Sequence, residues 1–363
     1  MAQKKILILA NNDVGLYKFR KMLLERFLSD GHRVVIALPG GDYISQLVAL
    51  GCTFVETPFE RRGMNPAKDI SLYRLYRSII RDVNPDLVVT YTVKPNVYGG
   101  MACRTLRIPY AANITGLGTA IEQGGALRVL VLNMYREALK RAKVVFFENA
   151  GNRDRLVEFG VIKKEKTYVL HGAGIDVEAF PFERYPADGP VRFLYVGRVM
   201  REKGMDELFL AMEQLKEQYG DFVQLDMIGY LEEAYEGRLQ ALQDAGTIRF
   251  LGFQDDVPEY YRQAHCVVLP SYHEGMSNVL LEAGAIGRPL ITSNIHGCLE
   301  AVVEGKSGYL CSVRDANSLY DAMARFVELP YEEKVAMGAA SHDHVVAVFD
   351  KKQVVEETVN QLY

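Results

Sequence analysis

The stretch that decides the fold is "CVVLPSYHEGMSNVLLEAGAIGRPLITS", Cys266 to Ser293. It opens on a short apolar run, "CVVLP", and crosses a polar loop containing Gly275. It then enters a helix-like segment, "NVLLEAGAIG", and closes on a second apolar run, "PLITS". Strands buried on both faces read as continuous apolar runs, and a helix between two of them is the crossover that joins parallel neighbours. The same stretch holds two glutamates, Glu274 in the loop and Glu282 in the helical segment, eight positions apart. Eight residues make about two helical turns, so the carboxylates emerge near one side, offset by roughly 80° and at most about 12 Å apart.

Working outward, the same alternation runs along the whole chain in two sets. The first has the strand candidates "KKILILA", "HRVVIALP", "TFVETPF", "DLVVTYT", "PYAANIT", "KVVFFEN" and "TYVLHGA". Helical stretches such as "YKFRKMLLERFLSD" and "LYRLYRSIIRDV" lie between them. The second has "VRFLYVGR", "VQLDMIG", "TIRFLG", "CVVLPS", "PLITS" and "GYLCS", with "MDELFLAMEQLKEQY" and "VPEYYRQA" among its helices. This predicts an α/β protein of two doubly wound, Rossmann-like domains. "DVEAFPFERYPADGPVR", Asp176 to Arg192, breaks both periods with three prolines and reads as the linker. The expected domains are residues 1–180 and 190–340, with a helical segment, 341–363, packing back on the first. Ligands of such sheets bind beyond the carboxyl ends of the strands, so the chemistry is expected in the loops after them, in a cleft between the domains.

At 363 residues the chain suits two cores better than one. Five scattered cysteines, none in a C-x-x-C pair, argue against a disulfide framework or a zinc site and for a reducing cytoplasm. The apolar run in "MAQKKILILANN" is a strand, too short for a signal peptide or a membrane span. The net charge of −4 conceals an asymmetry: residues 1–185 hold 27 Lys and Arg against 18 Asp and Glu, and the remainder 15 against 28. A basic first half suits an anionic partner. The phosphate-binding loops described next account for positive charge without nucleic acid, so none is expected.

Those loops carry the functional signal. "VGRVMREKG", Val196 to Gly204, follows the first strand of the second set; Gly197 permits a tight turn, and Arg198 and Lys203 stand at either end as a clamp for a diphosphate. In the opening stretch Ser277 or Asn278 caps the helix. The N–H groups there and the helix dipole make a second phosphate-binding element, and Gly275 and Ser277 let a ligand approach the backbone. An extended ligand with a central diphosphate and sugars at both ends fits the two glutamates: Glu282 accepts from a ribose diol, Glu274 from the other sugar. "ILANNDVGLYKFR" has a single glycine, Gly15, so it is no G-x-G-x-x-G fingerprint, although Gly15 can bring backbone near a phosphate.

Together, Gly197-Arg198, Lys203-Gly204, Glu274-Gly275, Glu282 and "GRPLITSNIHGCLEAVVEGKSGYL" resemble the retaining GT-B glycosyltransferases of family 4 over nearly the whole chain. The resemblance implies transfer from a UDP-sugar with no cofactor and no bound metal. Arg198 and Lys203 hold the diphosphate. The backbone of Gly275, Met276, Ser277, Asn278, Val279 and Leu280 surrounds it, Glu282 holds the ribose, and Glu274 contacts the donor sugar. Phe253 lies where the family receives the nucleobase. The catalytic candidates are Glu274, Lys203 and Arg198, acting by stabilising the departing diphosphate while that group takes the acceptor's proton.

"YTVKPNVYGGMACR" and "PYAANITGLGTAIEQGG" resemble the bacterial members that extend a sugar on undecaprenyl diphosphate, above all N-acetylgalactosaminyltransferases acting on lipid-linked diacetylbacillosamine. This implies GalNAc transfer to a polyprenyl-diphosphate-linked sugar in surface-glycan or protein-glycosylation precursor synthesis, with Lys94, Asn96, Asn113 and Thr115 on the acceptor side. "NITG" stands where many members carry a histidine. A lipid acceptor implies a cytoplasmic protein held peripherally on the inner face of the membrane through its first domain. "GGALRVLVLNMYREALKRAK", Gly124 to Lys143, reads either as an interfacial helix, apolar in front and cationic behind, or as a domain helix with a basic end. Another hexose donor, a soluble acceptor, a UDP-N-acetylglucosamine 2-epimerase and a non-catalytic nucleotide-sugar-binding protein are the competing readings.

Overall fold

The apolar runs of the first half are the strands β1 (Lys5–Leu9), β2 (Arg33–Leu38), β3 (Thr53–Glu56), β4 (Leu87–Tyr91), β5 (Tyr110–Ile114), β6 (Val144–Phe147) and β7 (Thr167–Val169). In this computed structural model, which describes residues 2–58, 65–117, 121 and 124–363, they form one sheet in the order β3-β2-β1-β4-β5-β6-β7. Every pairing is parallel; β4 is the middle strand, and beside it β1 has Leu7 opposite Val35 on one side and Val88 on the other. The helices are α1 (Asp13–Ser29), α2 (Ile44–Ala49), α3 (Pro66–Val83), α4 (Gly100–Leu106), α5 (Gly125–Leu139) and α6 (Ala150–Glu158). Their starts are written in the sequence. Asn12 caps α1 by accepting from the Gly15 N–H at 2.6 Å, and Asn65 caps α3 just before Pro66, a residue suited to the first turn. The middle of "PYAANITGLGTAIEQGG" and the last residue of "TFVETPF" lie outside the described residues.

The second set gives β8 (Val191–Val196), β9 (Val223–Ile228), β10 (Ile248–Phe250), β11 (Cys266–Leu269), β12 (Leu290–Ser293) and β13 (Gly308–Cys311), ordered β10-β9-β8-β11-β12-β13 and again all parallel. Its helices are α7 (Met205–Tyr219), α8 (Glu236–Asp244), α9 (Val257–Gln263), α10 (Asn278–Ile286), α11 (Ala316–Glu328) and α12 (Tyr331–Phe349). A last helix, α13 (Lys351–Leu362), follows. In each sheet the strand order reverses once, between β1 and β4 and between β8 and β11. The loops at that switch point are where α/β sheets seat ligands.

The chain divides into two compact units, Met1–Ala173 with Lys351–Tyr363, and Gly174–Asp350. The segment read as a linker is therefore a packed part of the second unit. Tyr185 is buried, its hydroxyl donates to the His265 carbonyl at 2.7 Å, and the Glu183 N–H reaches the Ile286 carbonyl. Residues 341–349 complete α12, so the terminal segment that joins the first unit begins at Lys351. There Val354, Val355, Val359 and Leu362 bury themselves with Leu23, Leu24 and Phe27.

Candidate functional site

The second unit brings together three of the loops singled out above. The loop after β8 runs from Gly197 to Gly204 and feeds α7. Gly204 has φ +73°, and a Cβ there would stand 2.1 Å from the Pro270 carbonyl oxygen, so only glycine lets this loop lie against the one after β11. That apposition places the Lys203 ammonium on the Glu274 carboxylate, with both side chains largely buried. The Ser271 hydroxyl donates to the same Glu274 oxygen at 2.8 Å. The two residues expected to touch opposite parts of a ligand thus form one hydrogen-bonded pair.

Arg198 sits differently. Its side chain is about half exposed and pairs with Glu232 at 3.0 Å, while its carbonyl accepts from the Tyr195 hydroxyl at 2.7 Å. Tyr195 is fully buried, and burial first, then the negative charge of Glu274, raises its pKa. It is therefore a neutral donor that fixes the start of the loop. Backbone bonds from Gly197 to Ile228, Val199 to Tyr230 and Gly229 to Gly252 lace the ends of β8, β9 and β10 together. At their edge Phe253 is exposed and stacks on Tyr230, with centroids 4.4 Å apart and planes 11° from parallel.

α10 begins at Asn278 with Ser277 as its N-cap, as its sequence predicts. The Ser277 hydroxyl takes the Leu280 N–H, so that group serves the cap and is not left for a ligand. Met276 and Leu280 are core side chains, and only their backbone can face an anion. As in any α-helix, the first-turn N–H groups find no intrahelical carbonyl. The preceding loop is held from outside by Gly297 (φ +91°), whose carbonyl accepts from the Ser277 N–H at 2.8 Å; a Cβ at Gly297 would reach 2.6 Å from the Gly275 oxygen. From Leu280 to Ile286 every residue is buried except Glu282. The Tyr261 hydroxyl donates to Glu282 Oε2 at 3.0 Å, which gives this carboxylate a partner in its apolar run. Burial and the Glu282 charge in turn hold the Tyr261 pKa well above its ordinary value.

Two family models match the chain. "Glycosyl transferase 4-like domain" covers residues 15–173 and "Glycosyl transferases group 1" covers residues 176–344. The chain belongs to glycosyltransferase family 4. It is 25% identical to the N,N'-diacetylbacillosaminyl-diphospho-undecaprenol alpha-1,3-N-acetylgalactosaminyltransferase of Campylobacter jejuni, over 99% of this chain and 97% of that one. It is 24% identical to the capsular polysaccharide biosynthesis glycosyltransferase CapM of Staphylococcus aureus, over 82% of each. Among solved structures, Anabaena Alr3699/HepE in complex with UDP and glucose superposes with a TM-score of 0.79 at 17% identity, each chain covered to 99%. The fold of the transferase is GT-B, as expected from the sequence.

The remaining expected site residues of the transferase belong to its first unit. Gly15 lies in the first turn of α1, where the Asn12 side chain accepts from its N–H at 2.6 Å. Lys94 precedes a π turn, Pro95–Gly99, and pairs with the buried Asp69 at 3.3 Å. Asn96 and Asn113 are not surface groups: they are 1% and 3% exposed. The Thr90 hydroxyl donates to Asn96 Oδ1 at 2.6 Å, Asn96 Nδ2 donates to the Asn113 carbonyl at 2.8 Å, and Asn113 Nδ2 reaches back to the Thr90 carbonyl. Their amides tie the carboxyl ends of β4 and β5 together. Thr115 is half-buried just past β5. Sequence reasoning missed Thr92, a β-branched residue with φ +73° directly after β4, an uncommon backbone state of the kind found at functional turns.

α5 packs one face into the core and leaves apolar side chains exposed elsewhere. Val131, Leu132, Tyr135, Ala138 and Leu139 are core, whereas Leu127, Val129 and Leu130 are exposed. Arg136 is bonded to the Phe159 and Gly160 carbonyls, and Lys140 is exposed. Among the described residues no helix is long and apolar enough to cross a membrane.

Proposed function

We propose that this transferase moves a hexosamine, GalNAc, from its UDP-sugar to a sugar carried on undecaprenyl diphosphate, with retention of anomeric configuration and without a metal. The observation that carries the reading is the Lys203–Glu274 pair beside the N-terminus of α10, with Glu282 two turns along the same helix. A nucleotide sugar laid along this line puts its diphosphate at Lys203, Arg198 and the first turn of α10. Its ribose lies at Glu282, its donor sugar at Glu274 and its base near Phe253. Charge that develops on the leaving diphosphate is met by helix N–H groups already in place and by Lys203 once it turns to the diphosphate, stabilisation of the kind that lowers such a barrier. No strong base is needed, because the leaving oxygen takes the acceptor's proton on the same face. Lys203 exchanges its present partner, Glu274, for the diphosphate, which frees Glu274 to accept from sugar hydroxyls.

The C. jejuni and S. aureus relatives support a bacterial glycan role, and the first of them supports the lipid-linked acceptor. Exposed Leu127 and Val129 with exposed Lys140 support peripheral attachment to an anionic membrane from the cytoplasmic side. The test is a panel of UDP-sugars against short polyprenyl-diphosphate-linked sugars, read by mass, with and without chelator. Transfer of one N-acetylhexosamine from UDP-GalNAc in chelator, giving an α-linkage by NMR, is the expected result. An inverted linkage or a requirement for added divalent metal contradicts the mechanism.

A further inference from the structure

The first unit holds a groove that the nucleotide-sugar reading does not use. Its walls are the first half of α3, the turn and helix around Tyr98 to Thr105, and α5, and its cavity volume is about 470 Å3, within the range of sites that enclose a small molecule. Ile70, Met101, Leu130 and Met134 make it chiefly apolar. Ile70 is 53% exposed and Leu130 48%, in a protein whose other large apolar side chains are mostly core. Beside Leu130, exposed Leu127 and Val129 continue the apolar surface along α5. Exposed apolar area of this continuity marks a binding surface more often than an isolated leucine does.

One wall is polar. Asp69, 7% exposed, lines the groove, holds the Lys94 ammonium at 3.3 Å and accepts from the Tyr98 hydroxyl. Arg104 also lines the groove, paired at the helix surface with Glu137. An apolar trough with Arg104 on its wall and Lys94 held at its side complements an amphiphile with an apolar chain and an anionic head.

We propose that this groove takes the isoprene units nearest the diphosphate of the polyprenyl acceptor, with Lys94 leaving Asp69 to meet the diphosphate. The proposal rests on the lipid-linked acceptor of the preceding reading and adds where the chain enters the protein. Leu127 and Val129 then face the bilayer, and Ile70 and Leu130 are covered by the acceptor itself.

Two measurements on the full chain test it and separate its failure from that of the underlying reading. In the first, a diazirine-bearing geranylgeranyl diphosphate with no sugar is photolysed with the protein, and the labelled peptides are mapped by mass spectrometry. Labelling at Ile70, Met101 or Leu130, competed by unlabelled geranylgeranyl diphosphate and not by decyl phosphate or phospholipid vesicles, supports the groove whether or not transfer occurs. Labelling elsewhere, or equal competition by decyl phosphate or vesicles, overturns it. In the second, Ile70→Asp and Leu130→Asp, both at exposed positions, are compared with Val129→Asp. The groove variants raise KM for a tetraprenyl acceptor about tenfold or more. They leave KM for a methyl-diphosphate-linked acceptor and the rate of UDP-sugar hydrolysis unchanged, and Val129→Asp has no such chain-length effect. Equal losses on both acceptors, or none on either, overturn the assignment. Labelling in the groove with no transfer to any lipid acceptor instead overturns the transferase reading alone.

Discussion

At the scale of single residues the account turns on Lys203 and Glu274. Both were candidates from the sequence, but their direct pairing was not legible there, because it depends on a close approach of the β8 and β11 loops that only Gly204 permits. If Lys203 and Arg198 stabilise the departing diphosphate, Lys203→Ala or Arg198→Ala lowers kcat about 10²–10³-fold at saturating donor, the range found when one preorganised charge-stabilising donor is lost. Glu274→Gln keeps shape and a hydrogen-bonding oxygen and loses less. Steady-state kinetics on the three variants checks the order; wild-type turnover in both cation variants contradicts it. Phe253→Ala raises donor KM about two- to tenfold, because a stacking face worth about 0.5–1.5 kcal/mol is removed, and leaves kcat nearly unchanged.

At the scale of elements, strands and helices were legible because a parallel sheet covered on both faces buries whole strands. That writes runs such as "KILIL" and "CVVL" between capped helices. The elements misread were those held by single side chains. Asp176 to Arg192 has a linker's composition, yet Tyr185 and Arg288 bind it into the second unit. Arg288 is fully buried and donates to the carbonyls of Tyr261 at 2.8 Å and Arg184 at 3.0 Å, among others, and burial lowers its pKa to about 10. Nothing in "GRPLITS" announces this, since a buried arginine and a surface arginine look alike in one sequence. Arg288→Met leaves several carbonyls unpaired and costs at least about 3 kcal/mol, a fall in Tm of about 6–12 °C for a unit of this size.

His265 ties the same segment down as a neutral imidazole. Nδ1 accepts from the Arg192 N–H at 3.1 Å, and Nε2 faces the Ala187 carbonyl at 3.1 Å. Burial lowers its pKa below the ordinary 6.5. Above pH 6.5 it is neutral folded or unfolded and its contacts are intact. As pH falls through 6.5 towards the lower folded value, the unfolded chain takes the proton first and the stability contribution is lost. Tm therefore declines between pH 7 and pH 5 by more in the wild type than in His265→Gln, which keeps a donor and an acceptor but does not titrate. Parallel Tm profiles for the two proteins contradict this.

At the scale of the whole molecule, two sheets with separate cores explain why the charge asymmetry of the halves is tolerated: each unit folds around its own apolar clusters. The chain closes by returning α13 to the first unit, where Val354, Val355, Val359 and Leu362 cover α1 residues. Truncation after Asp350 exposes that surface and lowers the stability of the first unit, while UDP still stabilises the second by mass action. Calorimetry of full and truncated chains with and without UDP reads both effects; loss of the UDP-induced shift on truncation contradicts the separation. The duplicated architecture and the positions of the loops after β8 and β11 could be read from the sequence, since both follow from strand ends and caps. The burial of Asn96 and Asn113 could not, because both resemble exposed loop amides until their hydrogen-bond network is seen.

We propose that the line from Glu274 through Lys203 and the N-terminus of α10 to Glu282 carries a UDP-sugar whose sugar is passed to a polyprenyl-diphosphate-linked acceptor. The most direct measurement is transfer by the purified chain from a panel of UDP-sugars to such an acceptor, read by mass for the wild type and for Lys203→Ala. The account predicts addition of one N-acetylhexosamine from UDP-GalNAc by the wild type and a rate about 10²–10³-fold lower for the variant. Absence of transfer from every UDP-sugar, or equal transfer by both proteins, would contradict it.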